Sequence, residues 1–149
     1  MIKTLSSALS LGILIAGCTG ARPMTLGVHD GKLAPCPASP NCVSSQSTDK
    51  DHAVEPIPFS GTSAETMADL KKVLSGMPRT RIVTETDTYL HAEFTSALFR
   101  FVDDVEFWID TNTSTVQLRS ASRVGHSDLG VNRKRIEDLR LAMHTLHRK

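Results

Sequence analysis

Two stretches of strict two-residue alternation, separated by a short polar break, constrain this chain more than any other feature. Over residues 103–111, Val105, Phe107 and Ile109 fall on one side and Asp104, Glu106, Trp108 and Asp110 on the other. Over residues 115–123, Val116 and Leu118 share a side, and Gln117, Arg119, Ala121 and Arg123 share the opposite one. A period of two marks a β-strand with one apolar face. With Asn112-Thr113 as a two-residue hairpin turn, the register places Glu106 opposite Arg119 and Phe107 opposite Leu118, while a slip of two residues keeps the same faces and stays open. Two more strands are expected upstream. Residues 80–86 are rich in β-branched side chains, and in 89–95 Leu90, Ala92 and Phe94 share one face.

Two helices complete the pattern. Thr62-Ser63-Ala64-Glu65 reads as a capping box, with Thr62 at the N-cap and Glu65 three residues on. Met67, Leu70, Val73, Leu74 and Met77 then form one apolar stripe, which Gly76 and Pro78 bring to an end. A second helix is expected over 132–147, with Asn132 as its N-cap and Ile136, Leu139, Met143 and Leu146 as its buried stripe. Helices with one apolar stripe and strands with one apolar face imply an α+β fold. The expected form is a two-layer sandwich, an antiparallel sheet of about four strands with two helices packed on one face. The other face would be wet, with His91 a surface residue on it.

The chain has 149 residues, about one domain. Its beginning has another use. Lys3 is followed by a short apolar run over 5–15, too short for a mature span of roughly 20 residues but suited to an export signal. Ile15-Ala16-Gly17-Cys18 resembles the bacterial lipobox, in which an aliphatic residue and two small ones precede an acylated cysteine. Residues 1–17 are therefore expected to be a lipoprotein signal peptide, with lipid, palmitate among it, on Cys18. Thr19 rather than Asp after the cysteine resembles an outer-membrane address. The expected location is the bacterial cell envelope, anchored by lipid and facing the periplasm, on the outer membrane rather than the inner. Residues 19–34 carry Gly20, Pro23, Gly27 and Gly31 without apolar periodicity, so 18–34 reads as a lipidated N-terminus and a flexible tether reaching on the order of 20 Å. The folded domain is expected over 35–149.

Removal of residues 1–17 takes away Lys3 and no acid, so the 17 basic and 16 acidic side chains become balanced. That balance argues against nucleic acid as a partner. Two cysteines remain beyond Cys18. In an oxidising compartment an even remainder implies a disulfide, here Cys36 with Cys42. So small a ring contributes about 2 kcal/mol. The spacing is not that of a Cys-x-x-Cys redox pair. A zinc site would have to recruit His29 or His52, and that spacing matches no familiar zinc pattern.

The densest chemistry runs from Phe101 to Arg135. Arg119, Ser120, Ser122 and Arg123 lead into the loop Val124-Gly125-His126-Ser127-Asp128-Leu129-Gly130, and Asn132, Arg133 and Arg135 follow. Cations in a helix's first turn oppose its dipole and ask for partners. One reading has Arg119, Arg123, Arg133 and Arg135 gathering a phosphate, a carboxylate or a lipid head group. The other has Asp103, Asp104, Glu106 and Asp128 pairing with those arginines to brace the corner. A metal held by Asp103, Asp104 and Asp128 would compete with the same arginines. Serines are plentiful at Ser44, Ser45, Ser120, Ser122 and Ser127, and a hydrolase would use His126 with a nearby one, yet no Gly-x-Ser-x-Gly elbow is present. Neither cofactor nor metal is expected.

Four segments carry a family resemblance. Pro35-Cys36-Pro37-Ala38-Ser39-Pro40-Asn41-Cys42-Val43-Ser44-Ser45 resembles the opening signature of the bacterial family called domain of unknown function 1499. Phe101-Val102-Asp103-Asp104-Val105-Glu106-Phe107 and Arg119-Ser120-Ala121-Ser122-Arg123-Val124-Gly125 resemble its central signatures, and Ser127-Asp128-Leu129-Gly130-Val131-Asn132-Arg133 the next. The resemblance spans roughly residues 35–146. It implies export or membrane attachment and assigns no catalytic residue. The combined expectation is an envelope binding or interaction module. Its partners would be the membrane, through the anchor, and an envelope protein or an anionic small molecule.

Overall fold

The computed structural model of the chain describes residues 19–146, and the expected signal peptide and Cys18 lie outside that range. Six strands and two helices follow in the order β1 (Cys42–Ser44), β2 (Ile57–Pro58), α1 (Ser63–Ser75), β3 (Thr80–Glu85), β4 (Tyr89–Thr95), β5 (Val102–Asp110), β6 (Thr115–Ser122) and α2 (Val131–Leu146). The strands form one antiparallel sheet in the spatial order β1-β6-β5-β4-β3, and β2 also pairs with β6. The two-layer α+β reading holds, with two strands more than the four expected. β1 and β2 are three and two residues long, too short to show a period, and exist by pairing along β6.

The β5–β6 register is the expected one, with Glu106 opposite Arg119 and Phe107 opposite Leu118. The turn is longer than expected. The ladder ends at Asp110 and Thr115, leaving a four-residue loop whose last member, Ser114, has φ +53°. Asp110 holds this loop by accepting from the Asn112 amide at 3.0 Å and the Thr113 hydroxyl at 2.8 Å.

One face of the sheet carries the core. Leu90, Ala92, Phe94, Val105, Phe107, Ile109, Val116 and Leu118 meet Met67, Leu70, Val73 and Leu74 from α1 and Ile136, Leu139 and Met143 from α2. Fully burying each such side chain contributes roughly 1.5–3 kcal/mol. The capping box on α1 is present as read, with the Thr62 hydroxyl accepting from the Glu65 amide and Glu65 accepting from the Thr62 amide. Backbone and side-chain hydrogen bonds from Thr62 hold the Glu65 carboxyl below its ordinary value.

α2 starts differently from the expectation. Asp128, not Asn132, caps it, accepting from the Gly130 and Asn132 amides at 3.0 and 2.7 Å. Asn132 lies inside the first turn and is fully buried. Its Oδ1 accepts from Ser120 at 2.5 Å and Arg135 at 2.6 Å, and its Nδ2 donates to the Asn41 carbonyl at 3.1 Å and Ser122 at 3.0 Å. One amide thus joins α2 to β6 and to the chain entering β1. Asn132→Ala leaves several of these buried groups unpaired, each worth about 1–3 kcal/mol. The expected loss is roughly 3 kcal/mol in urea denaturation, against less than 1 kcal/mol for the exposed Lys134→Ala.

Candidate functional site

Alternation along β5 and β6 divides the expected cluster between the two faces of the sheet. Asp103, Ser120 and Ser122 point toward the helices, where Arg135 donates to Asp103 at 2.5 Å and to Ser120 at 3.0 Å. The Arg135 guanidinium also lies 4.7 Å from the centroid of the Phe94 ring. Asp104, Glu106, Arg119 and Arg123 point the other way. Arg133 is elsewhere again, donating to the carbonyls of Ala53 and Asp51 at 2.7 and 2.8 Å. Asp128 caps α2, so the structure does not bring Asp103, Asp104 and Asp128 together. Among the described residues no group of three His, Cys, Asp or Glu side chains is placed to hold a metal ion.

The second face of the sheet is the main departure from the sequence reading. Expected to be wet, it is a buried layer of charge. His91, Glu93, Asp104, Glu106 and Arg119 are each no more than 7% exposed. The segment read as a free tether covers them. Arg22 donates to Glu93 at 2.7 Å, the Gly27 amide donates to Glu106 at 2.8 Å, and Gly31 lies over Trp108. Leu33 is buried, and its amide donates to Gln46 at 2.8 Å. Residues 19–33 are therefore a strap across the sheet, placed there by partners on strands that sequence alternation alone marks as solvent-facing.

Within the layer the bonding is dense. Arg123 donates from Nε to Asp104 Oδ2 at 2.8 Å and from Nη2 to Asp104 Oδ1 at 2.6 Å and Glu93 Oε1 at 2.5 Å. Arg81 reaches Glu93 Oε2 at 2.6 Å, and His91 donates from Nε2 to Asp104 at 2.8 Å. Burial works to raise the Glu93 carboxyl, but the bonds from Arg123, Arg22 and Arg81 outweigh it and hold it down to about 2. Asp104 is lowered in the same way, burial being overcome by Arg123 and His91. The bond to Asp104 leads in raising Arg123 above its ordinary value. Tyr89 donates to Glu106 at 2.8 Å, and burial followed by the Glu106 charge raises its phenol well above the usual range.

Arg119 is the exception in this layer. Its contact with Glu106 is long, 3.4 Å, and its Nε is a buried donor with no hydrogen-bond partner among the described residues. The serines that neighbour it in sequence are otherwise engaged. Ser120 and Ser122 bond Asn132, and the Ser127 hydroxyl accepts from the Leu129 amide at 3.3 Å, while His126 is exposed. Cys36 and Cys42 form the expected disulfide, with Cα atoms 5.6 Å apart. The His52 ring donates from Nδ1 to the Cys42 carbonyl at 2.8 Å. Sequence reading did not single out Arg22, Arg81, Tyr89 or Glu93. One signal was available: pairing β4 with β5 puts Glu93 opposite Asp104, and two carboxylates in register call for a cation between them.

The sequence pattern of the family described as Protein of unknown function (DUF1499) matches residues 32–143, most of the chain, and the protein belongs to that family. No curated protein matches the chain. Among the described residues no helix is long and apolar enough to cross a membrane.

Two outcomes follow for the charge layer. Arg123→Met removes the cation between Glu93 and Asp104, leaving Asp104 with His91 alone and Glu93 with Arg22 and Arg81, and is expected to cost about 3–5 kcal/mol in urea denaturation. The folded carboxyl values lie below the unfolded ones, so their stabilisation is present above about pH 4.5 and is lost as pH falls toward 2. Denaturation midpoints measured across that window are expected to fall steeply in the native protein and less steeply in Arg123→Met.

Proposed function

We propose that this protein is a lipid-anchored binding module of the bacterial cell envelope that takes a small anionic group at Arg119, where the strap meets the sheet. Two features support its location. Ile15-Ala16-Gly17-Cys18 carries the acylation pattern, and the Cys36–Cys42 bridge suits an oxidising compartment. Intact mass is expected to show loss of residues 1–17 and acyl chains on Cys18, with Cys18→Ser left unacylated.

The observation that carries the binding reading is the unpartnered Nε of Arg119. A buried donor without an acceptor is destabilising by about 1–3 kcal/mol, and an arriving carboxylate or phosphate oxygen relieves that loss. Arg123, Arg133 and Arg135 already have acceptors, which narrows the arginine cluster to this one side chain. The serine hydroxyls at the corner are bound to Asn132 and the α2 loop rather than to His126, which favours binding over hydrolysis. Millimolar inorganic phosphate or acetate is expected to raise the melting temperature of the native protein and not that of Arg119→Gln. Equal shifts in both would remove Arg119 from the reading.

A further inference from the structure

Exposed apolar side chains crowd one end of the sandwich. The β4–β5 connection, residues 96–101, leaves Leu98 and Phe99 78% and 65% exposed, and the Phe99 ring stacks on Phe101 with centroids 5.5 Å apart. The loop entering α2 leaves Leu129 94% exposed, with Val131 exposed beside it. The two loops are neighbours. Val131 lines a cleft of about 400 Å³ together with Ser96 and Ala97, and the Arg123 amide donates to the Val102 carbonyl at 3.1 Å across the same sheet end. Arg100 and Leu129 sit at φ +59° and +55°, conformations that L side chains adopt only when their surroundings impose them.

The start of the strap lies at this same end. Gly20, at φ +66°, is so close to the sheet that a Cβ there would stand 2.8 Å from Arg123 Cβ and 2.9 Å from Val124 Cγ1. Only glycine admits that approach. Two residues of chain reach at most about 7 Å, so an anchor at position 18 would tether the domain by this end.

We propose that this end is a membrane-docking surface, with Leu98, Phe99, Phe101, Leu129 and Val131 seated in the interfacial layer of the bilayer that holds the lipid anchor. The inference rests on the lipoprotein reading and adds the orientation of the domain to it. An exposed apolar cluster of this kind marks an interaction site, and the bilayer is the partner the anchor brings to it. Aromatic rings suit the interfacial depth, and the exposed Arg79 and Arg100 at the same end suit lipid phosphates. The groove between β2 and α2, near Leu141, lies toward the opposite end and serves as the dry control.

The test uses the full acylated protein in vesicles of phosphatidylethanolamine and phosphatidylglycerol, some carrying brominated acyl chains. Trp108→Phe removes the native fluorophore. Phe99→Trp reports from the docking end and Leu141→Trp from the control, with Leu98→Trp a second reporter should Phe99→Trp disturb the ring stack. Unchanged circular dichroism shows that each variant is folded. The expected result is flotation of all variants with the vesicles, plus a blue shift and bromolipid quenching at 98 or 99 and not at 141. Flotation without quenching at 98 and 99, or with equal quenching at 141, overturns the docking surface and leaves the anchor standing. A blue shift that appears without lipid and grows with protein concentration assigns the patch to a second copy and overturns the proposal. Protein that fails to float overturns anchor and docking surface together.

Discussion

Arg123 lies between two carboxylates on adjacent strands, and the outer face of the sheet is organised around that contact. Glu93 and Asp104 are directly opposite each other in the β4–β5 ladder, an arrangement that repels when both are ionised. A guanidinium bonded to both converts the repulsion into a bridge, and its own removal from water is compensated by the same bonds. Three arginines converge on Glu93, one each from the strap, β3 and the end of β6. Charges of this kind must be either solvated or fully paired, so the strap is part of the domain. It supplies the cation and amide that complete the layer and excludes the water that would otherwise do so.

The strap is consequently held by polar complementarity at defined points and only in part by apolar area. Arg22 fixes it over β4, the Gly27 amide over β5, and Gly31 over the Trp108 ring. Attachment of this sort specifies position, because a shift of one residue along the sheet breaks each bond and leaves an ion unpaired. Arg119 is the one member whose bonding stays incomplete. Its partner Glu106 also accepts from the Gly27 amide of the strap, which makes the strap–sheet seam the place where an external anion would gain most.

On the helix side a single amide has the equivalent role. Asn132 uses all the hydrogen-bonding positions described for it to tie α2 to β6 and to the residues entering β1. Asp128 meanwhile supplies the negative charge that the first turn of α2 requires while Arg133 and Arg135 reach away from it. This positions the loop carrying Leu129 beside the loop carrying Phe99. The apolar end of the molecule thus results from a buried polar network, although none of that network is exposed there.

The β5–β6 hairpin could be read in advance because period-two alternation and a short polar break leave few pairings that keep Val105, Phe107, Val116 and Leu118 on one side. The start of α1 was equally legible, since the Thr62–Glu65 capping box is local chemistry. β1 and β2 were not, because strands of two or three residues have no period and owe their form to β6. Asn132 reads as a cap in sequence because it is a residue type that caps helices. Asp128, four positions earlier, starts the helix sooner by accepting from the Gly130 and Asn132 amides, which places Asn132 inside the first turn. The error about the wet face has a deeper origin. Alternation reports which side chains differ in polarity, and a polar face covered by its own chain looks the same in sequence as one facing water.

By itself, then, the amino-acid sequence determined the identity of the main elements, the apolar side of each and that β5 and β6 form a hairpin, because these depend on neighbours a few residues apart; the structure selected its register from those that keep the same faces. Tertiary structure alone decided that Arg22 meets Glu93 across 71 residues, that Arg123 bridges two carboxylates and that Arg119 is left one acceptor short. Those outcomes depend on which distant groups exclude water from one another, and burial of charge is a property of the assembled fold.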